Sequence, residues 1–283
     1  MIKVNDIEFQ VKHFPSGEQN FTFPFNPLLD DIITIEWYYE NDSELFTLIN
    51  IVQHIRNKDI NKFIGLFLPY IPHARMDRVE NSEDVFTLKY FTEVINSLKF
   101  NRVDVYDPHS NVSTALLNNV KIIDINRILQ QVIESIKADT QNLILYFPDA
   151  GAYKRYNKIP VISKFDKKIY GEKKRNWKTH RIEGLEIHGD CLSDLANATI
   201  LMIDDIISYG GTFYYSALEL NALGCNNIYA YASHTETEML NEEKGTFIKL
   251  LNDDTVKRLF TTNSIFRQIH PKIEILKKTL IKK

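Results

Sequence analysis

The 283 residues are 44% hydrophobic and 25% charged, with a formal net charge of −3. That balance is globular and too apolar for disorder, and no apolar run approaches the ~18 residues of a membrane span. Charge this close to neutral gives no bulk attraction to nucleic acid or anionic lipid, so neither is an expected partner and any phosphate site must be local. The length suits two domains at roughly 150 residues each. The start lacks a basic region followed by an apolar one, so no secretory signal is expected. The two cysteines, Cys191 and Cys225, fit no metal spacing and suit a reducing, cytoplasmic location.

In chain order, short apolar runs alternate with helical patterns. Ile32–Glu36 reads as a strand and Glu44–Ile55 as a helix. Phe63–Leu68 reads as a buried strand that stops at Pro69-Tyr70. Apolar residues at three- and four-residue steps predict a helix over Asp84–Leu98, with Val85 on its inner face and Ser82 or Asp84 as N-cap. Arg102–Tyr106 is a strand that ends at Asp107-Pro108-His109-Ser110. The second half repeats the scheme: helix Arg127–Ile136, strand Leu143–Phe147 ending at Pro148-Asp149-Ala150-Gly151, and strand Thr199–Ile203 ending at Asp204-Asp205. Helix Phe213–Leu223 is closed by Gly224, and strand Ile228–Ala232 ends at Ser233-His234.

This alternation implies βαβ units and mostly parallel sheets, in which ligands bind beyond the carboxyl ends of the strands. The polar clusters fall at those ends. Two α/β halves are expected, 1–125 and 126–283. One segment breaks the rhythm: Lys164–His188 is rich in Lys and Arg, with few apolar anchors. It reads either as a solvated surface loop or as a basic lid over a polyphosphate.

The strongest motif runs Leu201-Met202-Ile203-Asp204-Asp205-Ile206-Ile207-Ser208-Tyr209-Gly210-Gly211-Thr212 into a helix. Adjacent carboxylates can accept hydrogen bonds from a sugar's vicinal hydroxyls. A Gly-Gly-Thr turn at a helix N-terminus offers backbone N–H groups and a hydroxyl to a phosphate. Neither the Walker A nor the Rossmann glycine pattern is present.

This stretch resembles the phosphate loop of type I phosphoribosyltransferases and, with the rest of the chain, the ribose-phosphate pyrophosphokinase family. Phe14-Pro15-Ser16-Gly17-Glu18 resembles that family's F-x-x-G-E segment, and Asn41-Asp42 with Glu44 its N-D-x-x-x-E-L stretch. Pro69 to Arg78 resembles its arginine segment, Asp107-Pro108-His109 its D-L-H, and Pro148–Gly151 its P-D-x-G. Lys173-Lys174-Arg175 resembles its catalytic basic loop and Thr262-Asn263-Ser264-Ile265 a late strand end.

The resemblance implies two tandem type I phosphoribosyltransferase-like α/β domains, the first on the ATP side and the second carrying the ribosyl-phosphate and basic loops. It also implies a magnesium-dependent diphosphotransferase that moves diphosphate from ATP to the anomeric hydroxyl of a ribosyl 5-phosphate and releases AMP. By position, Phe14, Ser16, Glu18, Arg75, Met76, Arg78 and His109 would bind ATP, and His109 and Asp149 would hold Mg2+. Asp204, Asp205, Ser208, Tyr209, Gly210, Gly211 and Thr212 would bind the ribosyl phosphate. Lys173, Lys174 and Arg175 would be catalytic. Because the Phe14–Glu18 segment completes a neighbour's site in that family, a homo-oligomer is implied, dimeric or hexameric.

Two departures matter. Met76 stands where the pattern has Gln and lacks an amide's hydrogen bonds. Tyr209 stands where the loop has a small residue, with Phe213, Tyr214 and Tyr215 close behind, although Phe213 and Ser216 also suit a buried helix face. The altered loop resembles that of phage-encoded relatives that take ADP-ribose and form ADP-ribose pyrophosphate, from which NAD is rebuilt. The acceptor is therefore ribose 5-phosphate or ADP-ribose. A third reading, a non-catalytic regulatory partner with this fold, is opposed by the retained His109, Asp149, Lys174, Arg175 and acid pair.

Overall fold

Runs of β-branched and other apolar residues become the strands of two mostly parallel sheets, one in each of the two units into which the chain divides, Met1–Asp124 and Ile125–Lys283. The computed structural model describes residues 1–276 apart from 24, 25, 27, 28, 139, 141, 176–181 and 197.

The first unit contains β1 (Ile2–Val4), β2 (Ile7–Glu8), β3 (Lys12–His13), β4 (Gln19–Asn20), β5 (Ile32–Trp37), α1 (Ser43–Lys58), β6 (Phe63–Leu68), α2 (Thr87–Ser97), β7 (Arg102–Tyr106), α3 (Asn111–Leu116) and β8 (Val120–Ile123). Its sheet has the order β2-β1-β5-β6-β7-β8, parallel from β5 to β8, with β1 and β2 added antiparallel. α1 and α2 return the chain between parallel neighbours. α1 presents Leu48, Ile51, Val52 and Ile55 to the core, together with Ile33, Ile35, Ile64 and Leu66. It carries Glu44 in its first turn and Arg56 and Lys58 in its last, signs that suit the helix dipole. β3 and β4 form a separate hairpin.

The second unit contains α4 (Asn126–Lys137), β9 (Leu143–Phe147), α5 (Ala150–Tyr156), α6 (Pro160–Ser163), β10 (Lys168–Arg175), β11 (Ile182–His188), β12 (Thr199–Ile207), α7 (Gly211–Ala222), β13 (Asn227–Thr235), α8 (Phe247–Asn252), β14 (Val256–Thr262) and β15 (Ile273–Leu276). The sheet order is β11-β10-β9-β12-β13-β14-β15, and β11 is the antiparallel strand. From β9 the chain moves outward on one side to β10 and β11. It then crosses back to β12 on the other side, so β9 and β12 flank a topological switch point, the place where open α/β sheets bind ligands. The core is continuous under it, from Ile144, Tyr146, Ile200 and Met202 to Phe213, Ala217 and Leu220 of α7.

Several boundaries differ from the sequence expectation, each for a local reason. α2 starts at Thr87 and its N-cap is Phe86, so Val85 lies outside it, 59% exposed. Asp84 does not cap the helix, because its carboxylate turns back to accept from the backbone N–H groups of Glu80 and Asn81 at 2.9 and 2.8 Å. β12 does not stop at the acid pair. Pairing with the equally long β13, up to Ile207↔Thr235, carries it two residues beyond the acid pair, to Ile207. The basic Lys164–His188 segment is not a plain loop: Lys168–Arg175 and Ile182–His188 pair as an antiparallel hairpin, with a register shift between Lys174 and Arg175. Its residues 176–181 lie outside the described residues.

Candidate functional site

The second unit gathers its candidate residues around the switch point. Met202 of β12 pairs with Tyr146 of β9, so Asp204 stands just beyond the level at which β9 ends. Asp149 follows β9 and caps α5, its Oδ1 accepting from the N–H of Ala152 at 2.8 Å. That bond orients one carboxylate oxygen into the helix and leaves the group half-buried at the strand end. From the last turn of α5, Arg155 donates through Nη2 to Asp205 Oδ1 at 2.8 Å and lies 3.5 Å from Asp204 Oδ1. Arg155 was not singled out in the sequence. Its position on the helix that Asp149 caps is what brings it to the acid pair.

The two acids differ in setting. Asp205 is buried, and its N–H donates to Asp204 Oδ1 at 2.9 Å. Burial raises the Asp204 carboxyl well above the usual carboxylate range, reinforced by the charge of Asp205 and only partly opposed by Arg155.

The loop that follows is held rigidly. The Tyr209 carbonyl accepts from the N–H of Thr246 (2.8 Å), the Thr246 hydroxyl (3.0 Å) and the N–H of Phe247 (3.1 Å). Gly210 adopts φ +92°, and a Cβ there would stand 2.4 Å from Phe247 Cβ and 2.9 Å from its backbone nitrogen. Only glycine satisfies both demands. Gly211 opens α7 with nothing within 4 Å of a Cβ position, a space a ligand could enter, and Thr212 follows half-buried. The Ser208 hydroxyl donates to Glu236 Oε2, a partner just beyond β13 that the sequence did not flag. Phe213 and Ser216 are buried, and Tyr146 donates to Ser216 at 2.8 Å. Tyr209 and Tyr215 are exposed. Lys173, Lys174 and Arg175 lie in β10, where Lys173 pairs with Leu185 and Lys174 with Gly184.

The first unit presents the remaining candidates on three separate features. Phe14, Ser16 and Glu18 form the exposed tip of the β3–β4 hairpin, where Gly17 takes φ +89° and the Ser16 hydroxyl donates to Glu18 at 2.7 Å. Arg75, Met76 and Arg78 lie exposed in the turn after β6, with Arg78 3.0 Å from Glu80. His109 is half-buried after β7, next to a buried Asp107 held at φ +37°. Glu44 has a structural part, accepting from Trp37 Nε1 at 2.9 Å and from the N–H of Glu40 at 2.8 Å. Asp42 receives the Tyr39 hydroxyl at 3.0 Å and lies 3.1 Å from His73 Nε2. Among the described residues no group of three or more His, Cys, Asp or Glu side chains is assembled that could hold a metal by itself.

No family model matches the chain. Over 263 residues it is 25% identical to the ribose-phosphate pyrophosphokinase of Saccharolobus solfataricus, covering 92% of this chain and 85% of that protein. Over 241 residues it is 27% identical to that of Bacillus subtilis, covering 84% and 70%. The fold matches the crystal structure of phosphoribosylpyrophosphate synthetase from Mycobacterium smegmatis with a TM-score of 0.73 and 16% identity, over 95% of this chain and 86% of that one. The chain is thus similar to ribose-phosphate pyrophosphokinases along nearly its whole length, and it shares the fold of a phosphoribosylpyrophosphate synthetase.

Proposed function

We propose that the chain moves the β,γ-diphosphate of ATP onto the anomeric hydroxyl of a ribosyl 5-phosphoryl acceptor and releases AMP. The supporting observation is the acid pair Asp204-Asp205 at a switch point, feeding directly into a glycine-dependent loop at the start of α7. Asp204 and Asp205 accept hydrogen bonds from the ribose hydroxyls, and Arg155 fixes the pair. Backbone N–H groups at Gly210–Thr212 receive the 5-phosphoryl group. The acceptor oxygen then forms a bond to the β-phosphorus, the bridge from the β- to the α-phosphate breaks, and the hydroxyl proton is released.

Such a transfer asks the protein mainly for positioning and charge neutralisation. Lys174 and Arg175, with Lys173, neutralise the transferring group. Arg75, Arg78 and His109 engage ATP phosphates, and Met76 contributes contact without a hydrogen bond. Phe14, Ser16 and Glu18 hold adenosine across a subunit boundary in a homo-oligomer. Magnesium takes one or two carboxylates and keeps the rest of its shell for water and phosphate oxygens, so the sparse donor set suits it. Asp149 would offer it a carboxylate, and it would neutralise charge on the polyphosphate.

The acceptor is ribose 5-phosphate or ADP-ribose. The second is favoured by Tyr209, 43% exposed beside the loop, and Tyr215, 61% exposed one turn into α7, which offer an aromatic surface beyond the phosphate. Incubation with Mg-ATP and each acceptor, read by mass spectrometry, should yield AMP and the acceptor gaining a diphosphate. Accumulation of ADP would overturn the reaction type, and no turnover with any ribosyl phosphate would favour the regulatory partner.

A further inference from the structure

Ser208 opens the loop with its hydroxyl already committed: it donates to Glu236 Oε2. The partnership is built into the sheet. Ile207 and Thr235 are the last paired residues of β12 and β13. The N–H of Glu236 extends the ladder by donating to the Ile207 carbonyl at 2.8 Å. Ser208 and Glu236 are thus the first residues beyond two adjacent strand ends, and their side chains meet there. The loop cannot shift to escape the contact, because the Tyr209 carbonyl is held by Thr246 and Phe247 and Gly210 packs directly on Phe247.

Two consequences follow for a phosphoryl group in the loop. The Ser208 hydroxyl turns its lone pairs, not its proton, toward it. A carboxylate also stands one hydroxyl behind the loop, near enough for its charge to act on a phosphoryl group there. Both effects weigh more heavily on a doubly charged terminal phosphate than on a singly charged, substituted one. A terminal phosphate carries close to two charges above its second ionisation near ~6.

We propose that Glu236 is a specificity-determining residue that tunes this loop for a phosphoryl group bearing one negative charge, as in a phosphodiester or the inner phosphorus of a substituted diphosphate. The inference rests on the reading of Ser208–Thr212 as the acceptor's phosphoryl site and sharpens it to a charge class.

The test compares two probes at pH 8 by calorimetry on the full chain: ribose 5-phosphate, doubly charged, and its 5-methyl phosphodiester, singly charged. The wild-type protein should bind the diester about tenfold more tightly. Glu236→Gln keeps the size and an acceptor for Ser208 but removes the charge. It should tighten ribose 5-phosphate about tenfold while moving the diester less than about threefold. Glu236→Asp, which keeps the charge but shortens the reach, should leave the preference for the diester in place. A Glu236→Gln variant that shifts both probes equally, or neither, overturns the inference while leaving the acceptor site standing. If neither probe binds either protein, the acceptor reading of the loop fails and the inference falls with it. Melting temperatures establish that each variant is folded.

Discussion

Arg155 donates to Asp205 at 2.8 Å and so ties the helix that Asp149 caps to the end of the neighbouring strand. The contact places one cation against two adjacent carboxylates at the switch point. Arg155→Met removes the cation from beside a buried acid. Breaking a fully buried pair costs ~3–5 kcal/mol. With the Arg155 side chain 26% exposed, we expect about 2–3 kcal/mol, seen as a melting temperature lower by several degrees. The acceptor KM should rise as well, because the acids lose their fixed orientation. A variant with wild-type stability and KM would show the contact to be incidental.

Asp204 gives a pH signature. Burial raises its folded-state pKa above the unfolded value. Below the unfolded pKa, near ~3.9, both states hold the proton and the group contributes nothing. As pH rises from there through the raised folded pKa, the unfolded chain ionises first, so stability falls, and the full penalty is present above that window. Asp204→Asn should therefore be more stable than wild type at pH 8, with the gain vanishing toward pH 4, while acceptor turnover collapses. Thermal melts from pH 4 to 8 measure this. A stabilisation independent of pH would place its cause elsewhere.

The two loop glycines should separate cleanly. Gly210→Ala forces a side chain into φ +92° and against the Phe247 backbone at 2.9 Å. The combined strain is on the order of 2–4 kcal/mol, and acceptor binding should be lost with it. At Gly211 a Cβ meets nothing within 4 Å and the residue is helical. Gly211→Ala should fold with unchanged or slightly raised stability, any defect being confined to acceptor KM through the space the methyl fills. Equal destabilisation of both variants would contradict this difference in packing between the two positions.

How far these features could be read in advance divides along physical lines. β6 and β9 were legible from apolar runs and α4 as a helical pattern over Arg127–Ile136, because burial writes itself into sequence patterning. The extension of β12 was not, since two aspartates in a row resemble a turn until β13 is known to pair beyond them. The β10–β11 hairpin was hidden by its charge: strands with many Lys and Arg residues look like loop. Arg155 and Glu236 left no local pattern, each acting through a residue distant in sequence and close only across the sheet. Asp204, Asp205 and Gly210 were visible because strand end, acid pair and glycine turn are contiguous.

The basic hairpin yields a kinetic prediction. If Lys174 and Arg175 meet charge that develops only during transfer, Lys174→Ala or Arg175→Ala should lower kcat more than it raises the KM for ATP. The loss expected per residue is on the order of 10²–10³ in kcat, as for removal of other charge-stabilising donors. Steady-state kinetics on both variants, with melting curves as the fold control, decide it. Unchanged kcat alongside a large fall in melting temperature would make the residues structural.

Tyr209 offers the sharpest test of the acceptor, because its backbone and side chain serve separate ends. The carbonyl is fixed by Thr246 and Phe247, and the side chain is 43% exposed. Replacing the side chain should therefore leave the loop's path intact, with a melting temperature within about a degree or two of wild type, as expected for an exposed position. Ribose 5-phosphate ends at its phosphate, whereas ADP-ribose continues through a second phosphate to an adenosine that must leave the loop. An aromatic ring at the exit suits the second and crowds the first. We expect kcat/KM for ADP-ribose to exceed that for ribose 5-phosphate at least about tenfold, ~1.4 kcal/mol of discrimination. Tyr209→Thr, which restores a short hydroxyl, should narrow or reverse that ratio. Paired assays on the two proteins measure it. If ribose 5-phosphate is the better acceptor and Tyr209→Thr alters neither rate, the tyrosine is a tolerated surface residue and the acceptor is ribose 5-phosphate.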